Sequence, residues 1–72
     1  MTIKEKRAFL ESKGITPTRH EGDDYSTVFH VSATDREKAT QEKLNWEDGC
    51  DCYIEASDMF GMNVIIMEND GD

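Results

Sequence analysis

The chain has 72 residues, of which 36% are hydrophobic, and a formal net charge of −8 at pH 7. Such a chain makes one small domain, residues 1–72, and it lacks both the roughly 18-residue apolar stretch of a membrane helix and the apolar segment of a signal peptide. Two cysteines do not make a disulfide scaffold, so we expect a cytoplasmic protein with reduced thiols.

The first predicted helix starts with a Thr-x-x-Glu pattern at Thr2 and Glu5. In such a capping box the Thr hydroxyl accepts from an amide of the first turn, and the Glu carboxylate accepts from the amide of the Thr. We expect the helix to run from Ile3 to Lys13. Gly14 should end it in a left-handed conformation, so that Ile15 folds back onto the helix.

A polar connection over residues 16–24 is followed by a clean alternation from Tyr25 to Ala33. Odd-numbered residues, including Phe29, share one face, and even-numbered residues, including Val28 and His30, share the other. This period of two predicts a half-buried strand, in which His30 faces solvent.

The second predicted helix carries the same Thr-x-x-Glu pattern, at Thr34 and Glu37. We expect it to run from about Asp35 to Trp46 and to end before Gly49. Neither predicted helix has a strong apolar stripe, so both depend on their caps and on intrinsic propensity more than on amphipathicity.

Two further strands are predicted after this helix. The second strand, from Cys50 to Ala56, places both cysteines on the same side as Ile54. The third, from Met62 to Glu68, is apolar on both faces. Residues 57–61 between them have the length of a hairpin turn, and the end of the chain, residues 69–72, is expected to fray.

The predicted element order is α-β-α-β-β, an α+β fold. The third strand belongs in the centre because it alone is apolar on both faces. The result is a three-stranded antiparallel sheet of order 1-3-2, a split βαβ arrangement. Both helices should cover one face of the sheet and leave the other face open.

The charge of the chain is unevenly distributed. Lys43 is the last basic residue, and eight carboxylates follow it without a single Lys or Arg. The same segment is rich in apolar residues, so we expect a folded surface with a field of one sign. Such a surface disfavours direct binding to nucleic acid, which requires positive charge, and favours a basic protein partner.

Two apolar features are expected to be exposed. One is the hairpin tip at Met59 and Phe60, for which the alternative is that Phe60 folds back over the edge of the core. The other is the open sheet face, where Val28 should lie near Tyr53 and Ile65. Exposed apolar clusters with a charged rim mark contact sites. The predicted partner-binding residues are Asp51, Tyr53, Glu55, Asp58, Met59, Phe60, Ile65 and Met67.

Cys50 and Cys52 form a metal-like set with His20 and His30. Structural zinc sites usually separate their paired cysteines by about two to four residues, whereas here one residue intervenes. Two buried thiols are therefore the favoured interpretation, and no metal or cofactor is expected. The sequence shows no phosphate-binding loop or nucleophile elbow, so we do not expect an enzyme.

The favoured function is a small acidic interaction module that binds and modulates or inhibits a basic, nucleic-acid-handling protein. Its carboxylates would stand in for phosphates, as in a DNA mimic, and its size and charge are typical of viral and mobile-element accessory proteins. One alternative is a homodimer built through the open sheet face, with acidity giving only solubility. Another is a Cys/His metal-binding protein.

Overall fold

The computed structural model describes residues 1–41 and 52–69 of the chain. These residues form an α+β fold in the order α-β-β-α-β-β. The elements are α1 (Ile3–Ser12), β1 (Arg19–Gly22), β2 (Ser26–His30), α2 (Ala33–Gln41), β3 (Cys52–Ser57) and β4 (Val64–Asn69). Within the described ranges no helix is long and apolar enough to cross a membrane. The predicted helix end at Trp46 and the predicted strand start at Cys50 lie outside these residues.

Helix α1 begins at Ile3 as its sequence predicts and ends at Ser12, one residue before the predicted end at Lys13, which is its C-cap. The amide of Glu5 donates to Thr2 Oγ1 at 3.2 Å, and the amide of Thr2 donates to Glu5 Oε1 at 2.9 Å, which completes the capping box. At the other end Gly14 has φ +80°, and the amide of Ile15 donates to the Leu10 carbonyl at 3.0 Å. This Schellman geometry brings Ile15 and Leu10 together in the core, where both are fully buried.

Helix α2 begins two residues earlier than predicted. The amide of Asp35 donates to Ser32 Oγ at 3.1 Å, so Ser32 caps the helix, and Thr34 lies inside its first turn. Ser32 and Asp35 have the same i, i+3 spacing as the predicted pair Thr34 and Glu37. The sequence therefore held two overlapping start signals, and the first of them is used.

The four strands form one antiparallel sheet of order β1-β2-β4-β3. The predicted order of three strands corresponds to β2-β4-β3 and is confirmed, including the central position of the last strand. The prediction of three strands is wrong, because Arg19–Gly22 of the polar connection pairs with β2 as an additional edge strand. All four residues of β1 are exposed, so no apolar alternation marks it.

The core lies between the two helices and one face of the sheet, as predicted. Ile65 is the cross-strand neighbour of both Phe29 and Ala56, and Met67 is the neighbour of Ile54. We expected Ile65 and Met67 on the open face, but both are fully buried in the core. Strand β4 is thus turned over relative to the prediction, and Ile66 lies on the opposite face.

Lys6 of α1 is fully buried beneath this sheet. Its ammonium group donates to the Asp24 carbonyl at 2.6 Å, to Thr27 Oγ1 at 3.2 Å and to the Met67 carbonyl at 3.1 Å. It also donates to the Tyr25 carbonyl at 3.3 Å. Because burying an ammonium group is costly unless its protons are bonded, these oxygens are what allow Lys6 to pack inside the domain. They tie α1 to β4 and to the start of β2.

Asn69, where we expected fraying to begin, is the last residue of β4. Its backbone amide donates to the Tyr25 carbonyl at 2.7 Å, which continues the ladder beyond the end of β2. Its side-chain amide donates to the Asp24 carbonyl at 2.9 Å and to the Met1 carbonyl at 3.1 Å. This end of the sheet is therefore held to the start of the chain.

Candidate functional site

The outer face of the sheet, opposite the helices, has an apolar centre with an acidic rim. Val28 and Ile66 are cross-strand neighbours and are half-buried. Glu21 lies beside Val28 on β1, and Glu55 lies beside Ile66 on β3. Both glutamates are exposed. One row of four side chains across the sheet thus has two apolar residues in its centre and a glutamate at each end.

The next row of the outer face adds an aromatic side chain. Tyr53 is 60% exposed and is the cross-strand neighbour of Glu68, whose own neighbour on β2 is Ser26. Because rows are two residues apart along each strand, Tyr53 and Glu55 lie on the same side of β3. We call Val28, Ile66, Tyr53, Glu21, Glu55 and Glu68 the acidic outer face.

The structure separates the predicted partner-binding residues into three groups. Tyr53 and Glu55 belong to the acidic outer face, while Ile65 and Met67 are buried in the core and cannot be reached by a partner in this fold. Asp51 lies outside the described residues. Ile66 lies on the outer face at the position that the sequence analysis predicted for Ile65. A strand that is apolar on both faces does not show which of the two residues faces the core.

The remaining predicted residues form the tip between β3 and β4. Asp58, Met59 and Phe60 are all exposed, and so is Met62. A short 3₁₀ turn spans Met59–Gly61, but Phe60 inside it has left-handed backbone angles, φ 53° and ψ 35°. We call Asp58, Met59, Phe60, Gly61 and Met62 the hairpin tip.

His30 lies on the outer face and is not the solvent-facing side chain that we expected. It is nearly buried, and its Nε2 donates to Glu21 Oε2 at 2.7 Å. This hydrogen bond, helped by the positive charge of Arg19, holds the pKa of Glu21 below its ordinary value. The pair joins β1 to β2 and fixes one carboxylate at the rim of the acidic outer face.

The two histidines of the metal-like set lie on opposite faces of the sheet. His20 contacts the Phe29 ring at a centroid distance of 6.1 Å, on the core side, whereas His30 bonds to Glu21 on the outer side. Cys52 is half-buried against the core, with Sγ 3.5 Å from Asn69 Oδ1. Cys50 is outside the described residues, and among those described no three His, Cys, Asp or Glu side chains are grouped to hold a metal ion.

The described surface therefore offers two apolar features beside acidic side chains, the acidic outer face and the hairpin tip. Comparison with protein-family models, with curated proteins and with solved structures finds no match to this chain.

Proposed function

We propose that this chain is a small non-catalytic module of the cytoplasm that binds a basic, nucleic-acid-handling protein and modulates or inhibits it. The observation that carries the proposal is the acidic outer face. Its centre is apolar, its rim holds three glutamates and its Tyr53 is largely exposed. Interfaces commonly combine an apolar and aromatic centre with a charged rim, and this rim fits a partner of opposite sign.

The charge distribution supports inhibition of a protein that binds nucleic acid. The segment after Lys43 contains eight carboxylates and no Lys or Arg, so all the charges that its own side chains contribute to the surface are negative. A protein that neutralises phosphates presents clustered Lys and Arg side chains. Carboxylates fixed on a folded surface can occupy those side chains, and the partner then loses access to nucleic acid.

The test is capture of partners from the source cells with the immobilised chain, followed by competition with duplex DNA on the purified partner. We expect a basic protein to be retained, and DNA and the chain to exclude one another. Partner proteins that are neutral or acidic, or simultaneous binding of DNA and the chain, would contradict the proposal.

A matched pair of variants separates the acidic outer face from charge in general. Glu55→Gln combined with Glu68→Gln should slow association about 10-fold, because charge-steered encounter depends on the rim carboxylates. Glu11→Gln combined with Glu37→Gln is the control, which removes the same number of charges from exposed positions on the two helices, on the other side of the sheet. Equal effects of both changes would show that net charge, and not this face, drives binding.

The competing function is a homodimer formed through the same face. Sedimentation velocity of the free chain distinguishes the two, since the proposal predicts a monomer. The rim glutamates favour this outcome, because two copies of the face would bring like charges together.

A further inference from the structure

The hairpin tip holds the most exposed large apolar side chain among the described residues. Phe60 is 91% exposed, and Met59 and Met62 beside it are each 42% exposed. A turn at the surface can be built from small polar residues. Because the Phe60 ring remains in water, it contributes no hydrophobic stabilisation to the fold. The folded domain therefore derives no packing benefit from this ring.

The backbone beneath the ring is also unfavourable for phenylalanine. Phe60 and Gly61 both have positive φ, and the amide of Met62 donates to the Met59 carbonyl at 2.9 Å. These are the features of a type I′ turn, whose first central position favours Asn, Asp or Gly. A left-handed conformation costs an ordinary side chain roughly 1–2 kcal/mol. Phe60 is the one non-glycine residue with positive φ in the described part of the chain.

Hydrogen bonds hold the tip in this shape. The amide of Gly61 donates to the Asp58 carbonyl at 3.1 Å inside the loop. At its end, Asn63 Oδ1 accepts from Arg36 Nε at 2.7 Å, and the Asn63 carbonyl accepts from the Val31 amide at 3.0 Å. The ring of Phe60 is thus presented on a defined backbone, which lowers the entropy lost when it is bound.

We propose that Phe60 is an anchor side chain, which inserts into an apolar pocket of the partner protein whose rim carries Lys or Arg side chains. The unfavourable turn conformation and the exposure of the ring point to the same explanation, since strained residues concentrate where a protein binds. Aromatic side chains in apolar pockets supply much of the energy of protein interfaces.

The charges around the tip decide between possible occupants. Asp58 lies within the tip and Glu55 precedes it on β3, while Arg36 at the base of the tip is held by its bond to Asn63 Oδ1. A second copy of this chain would bring a like-charged tip or face against Phe60, whereas a basic rim would complement it. The inference rests on the proposed function in that it requires a basic protein partner, but it assigns the anchor to the tip and not to the acidic outer face.

The first experiment replaces Phe60, in one variant, and Tyr53, in another, by the photoreactive p-benzoylphenylalanine and irradiates the source cells. We expect an adduct from position 60, and the crosslinked peptide of the partner should lie at an apolar pocket with Lys or Arg around it. An adduct from position 53 alone would overturn the anchor and leave the proposed function standing. Adducts from neither position would overturn both.

The second experiment measures binding and stability of Phe60→Asn with the purified crosslinked partner. Removal of an anchor residue should weaken binding about 30-fold or more. Because Asn suits the turn, the midpoint of thermal unfolding should stay unchanged or rise by about 2–6 °C. Loss of binding together with a rise in stability is a combination that a structural role cannot produce.

Tyr25→Asn is the matched control, because Tyr25 is 61% exposed and lies at the end of the sheet away from the hairpin tip. It should change binding less than about 3-fold, as expected of a residue outside the anchor. Unchanged binding by Phe60→Asn, or a clear drop in its unfolding midpoint, would overturn the assignment.

Discussion

Lys6 shows how a single residue can connect distant parts of a small domain. Its ammonium group lies among oxygens from the β1–β2 turn, from β2 and from β4, and its side chain is fully buried. Thr27 Oγ1 both accepts from Lys6 and donates to the Asp23 carbonyl at 2.7 Å. A sequence pattern could not reveal this role, because a lysine on a helix with alternating charges is usually solvated.

We predict that Lys6→Met destabilises the domain by about 1–3 kcal/mol, since it keeps the length of the side chain but leaves buried oxygens without a donor. Removing the desolvated charge offsets part of this loss, which is why the expected value is moderate. Urea denaturation would measure the change in the free energy of unfolding. Lys4→Met, at an exposed position of the same helix, is the control. Equal stability of both variants would mean that the oxygens around Lys6 are satisfied without it.

Glu21 gives the domain a defined response to acid. Its pKa is lowered by the hydrogen bond from His30, so the unfolded chain binds the proton more readily than the folded one. The stabilising contribution is present above the ordinary glutamate pKa of about 4.3 and disappears as the pH falls through the lowered value.

We therefore predict that Glu21→Gln reduces the loss of stability that accompanies a fall in pH below about 5. The free energy of unfolding, measured by denaturant titration at a series of pH values, would show the difference. Glu11→Gln, which removes an exposed carboxylate that takes no part in this bond, is the control. If the two variants lose the same stability on acidification, the bond between His30 and Glu21 does not contribute in solution.

At the scale of the elements, the sequence predicted a local structure correctly where the residue pattern is compatible with only one structure. The capping box at Thr2 and the left-handed Gly14 were both predictable. Strand β1 was not, because Arg19–Gly22 is exposed along its whole length and exists through its pairing with β2. Such a strand has no apolar period, and tertiary pairing overrides its weak local preference.

The orientation of β4 was undetermined for a different reason. Apolar residues lie on both faces of β4, so either face could pack against the helices. Which face is buried depends on the cross-strand neighbours on β2 and β3. The same uncertainty misplaced Ile65 and Met67. For Phe60 the sequence left two alternatives, an exposed ring and a ring folded over the core edge, and the structure shows the exposed ring. The anchoring role inferred for Phe60 needed its backbone angles, which no sequence pattern supplies.

A pair of adjacent substitutions tests the orientation of β4. Ile65→Asp should cost about 4 kcal/mol or more and unfold the domain, because it buries a carboxylate in the core. Ile66→Asp, on the half-buried outer face, should cost less than about 2 kcal/mol and leave the circular dichroism spectrum intact. The reverse order of stabilities would mean that β4 faces the other way.

At the scale of the whole molecule, the separation of charge along the chain has a measurable consequence. The Lys and Arg side chains of the described residues all lie between Lys4 and Lys38, on α1, at its C-cap Lys13, on β1 and on α2. The side chains of β3, β4 and the tip between them carry only acidic charges. The field around this half of the sheet is negative and is weakened by salt over about 8 Å at physiological ionic strength.

We predict that association with the partner slows by about 10-fold or more when NaCl is raised from about 0.05 M to about 0.5 M, while dissociation changes less. Stopped-flow or surface plasmon resonance measurements would separate the two rate constants. The Glu55→Gln, Glu68→Gln variant should show a shallower dependence. An association rate constant that is insensitive to salt would remove electrostatic steering from the proposed function.

The position of β4 in the sheet also affects how the protein folds as it is made. Strands β2 and β3 share no hydrogen bonds with each other. Both pair with β4, which lies between them in the sheet and follows both of them in the sequence. Because the ribosome makes the chain from its N-terminus, β2 and β3 remain without their common neighbour until residues 64–69 have emerged. The inward side chains of both strands, and the oxygen of Met67 that Lys6 requires, come together only then. Folding of this domain is therefore completed by its last strand and depends on contacts far apart in the sequence.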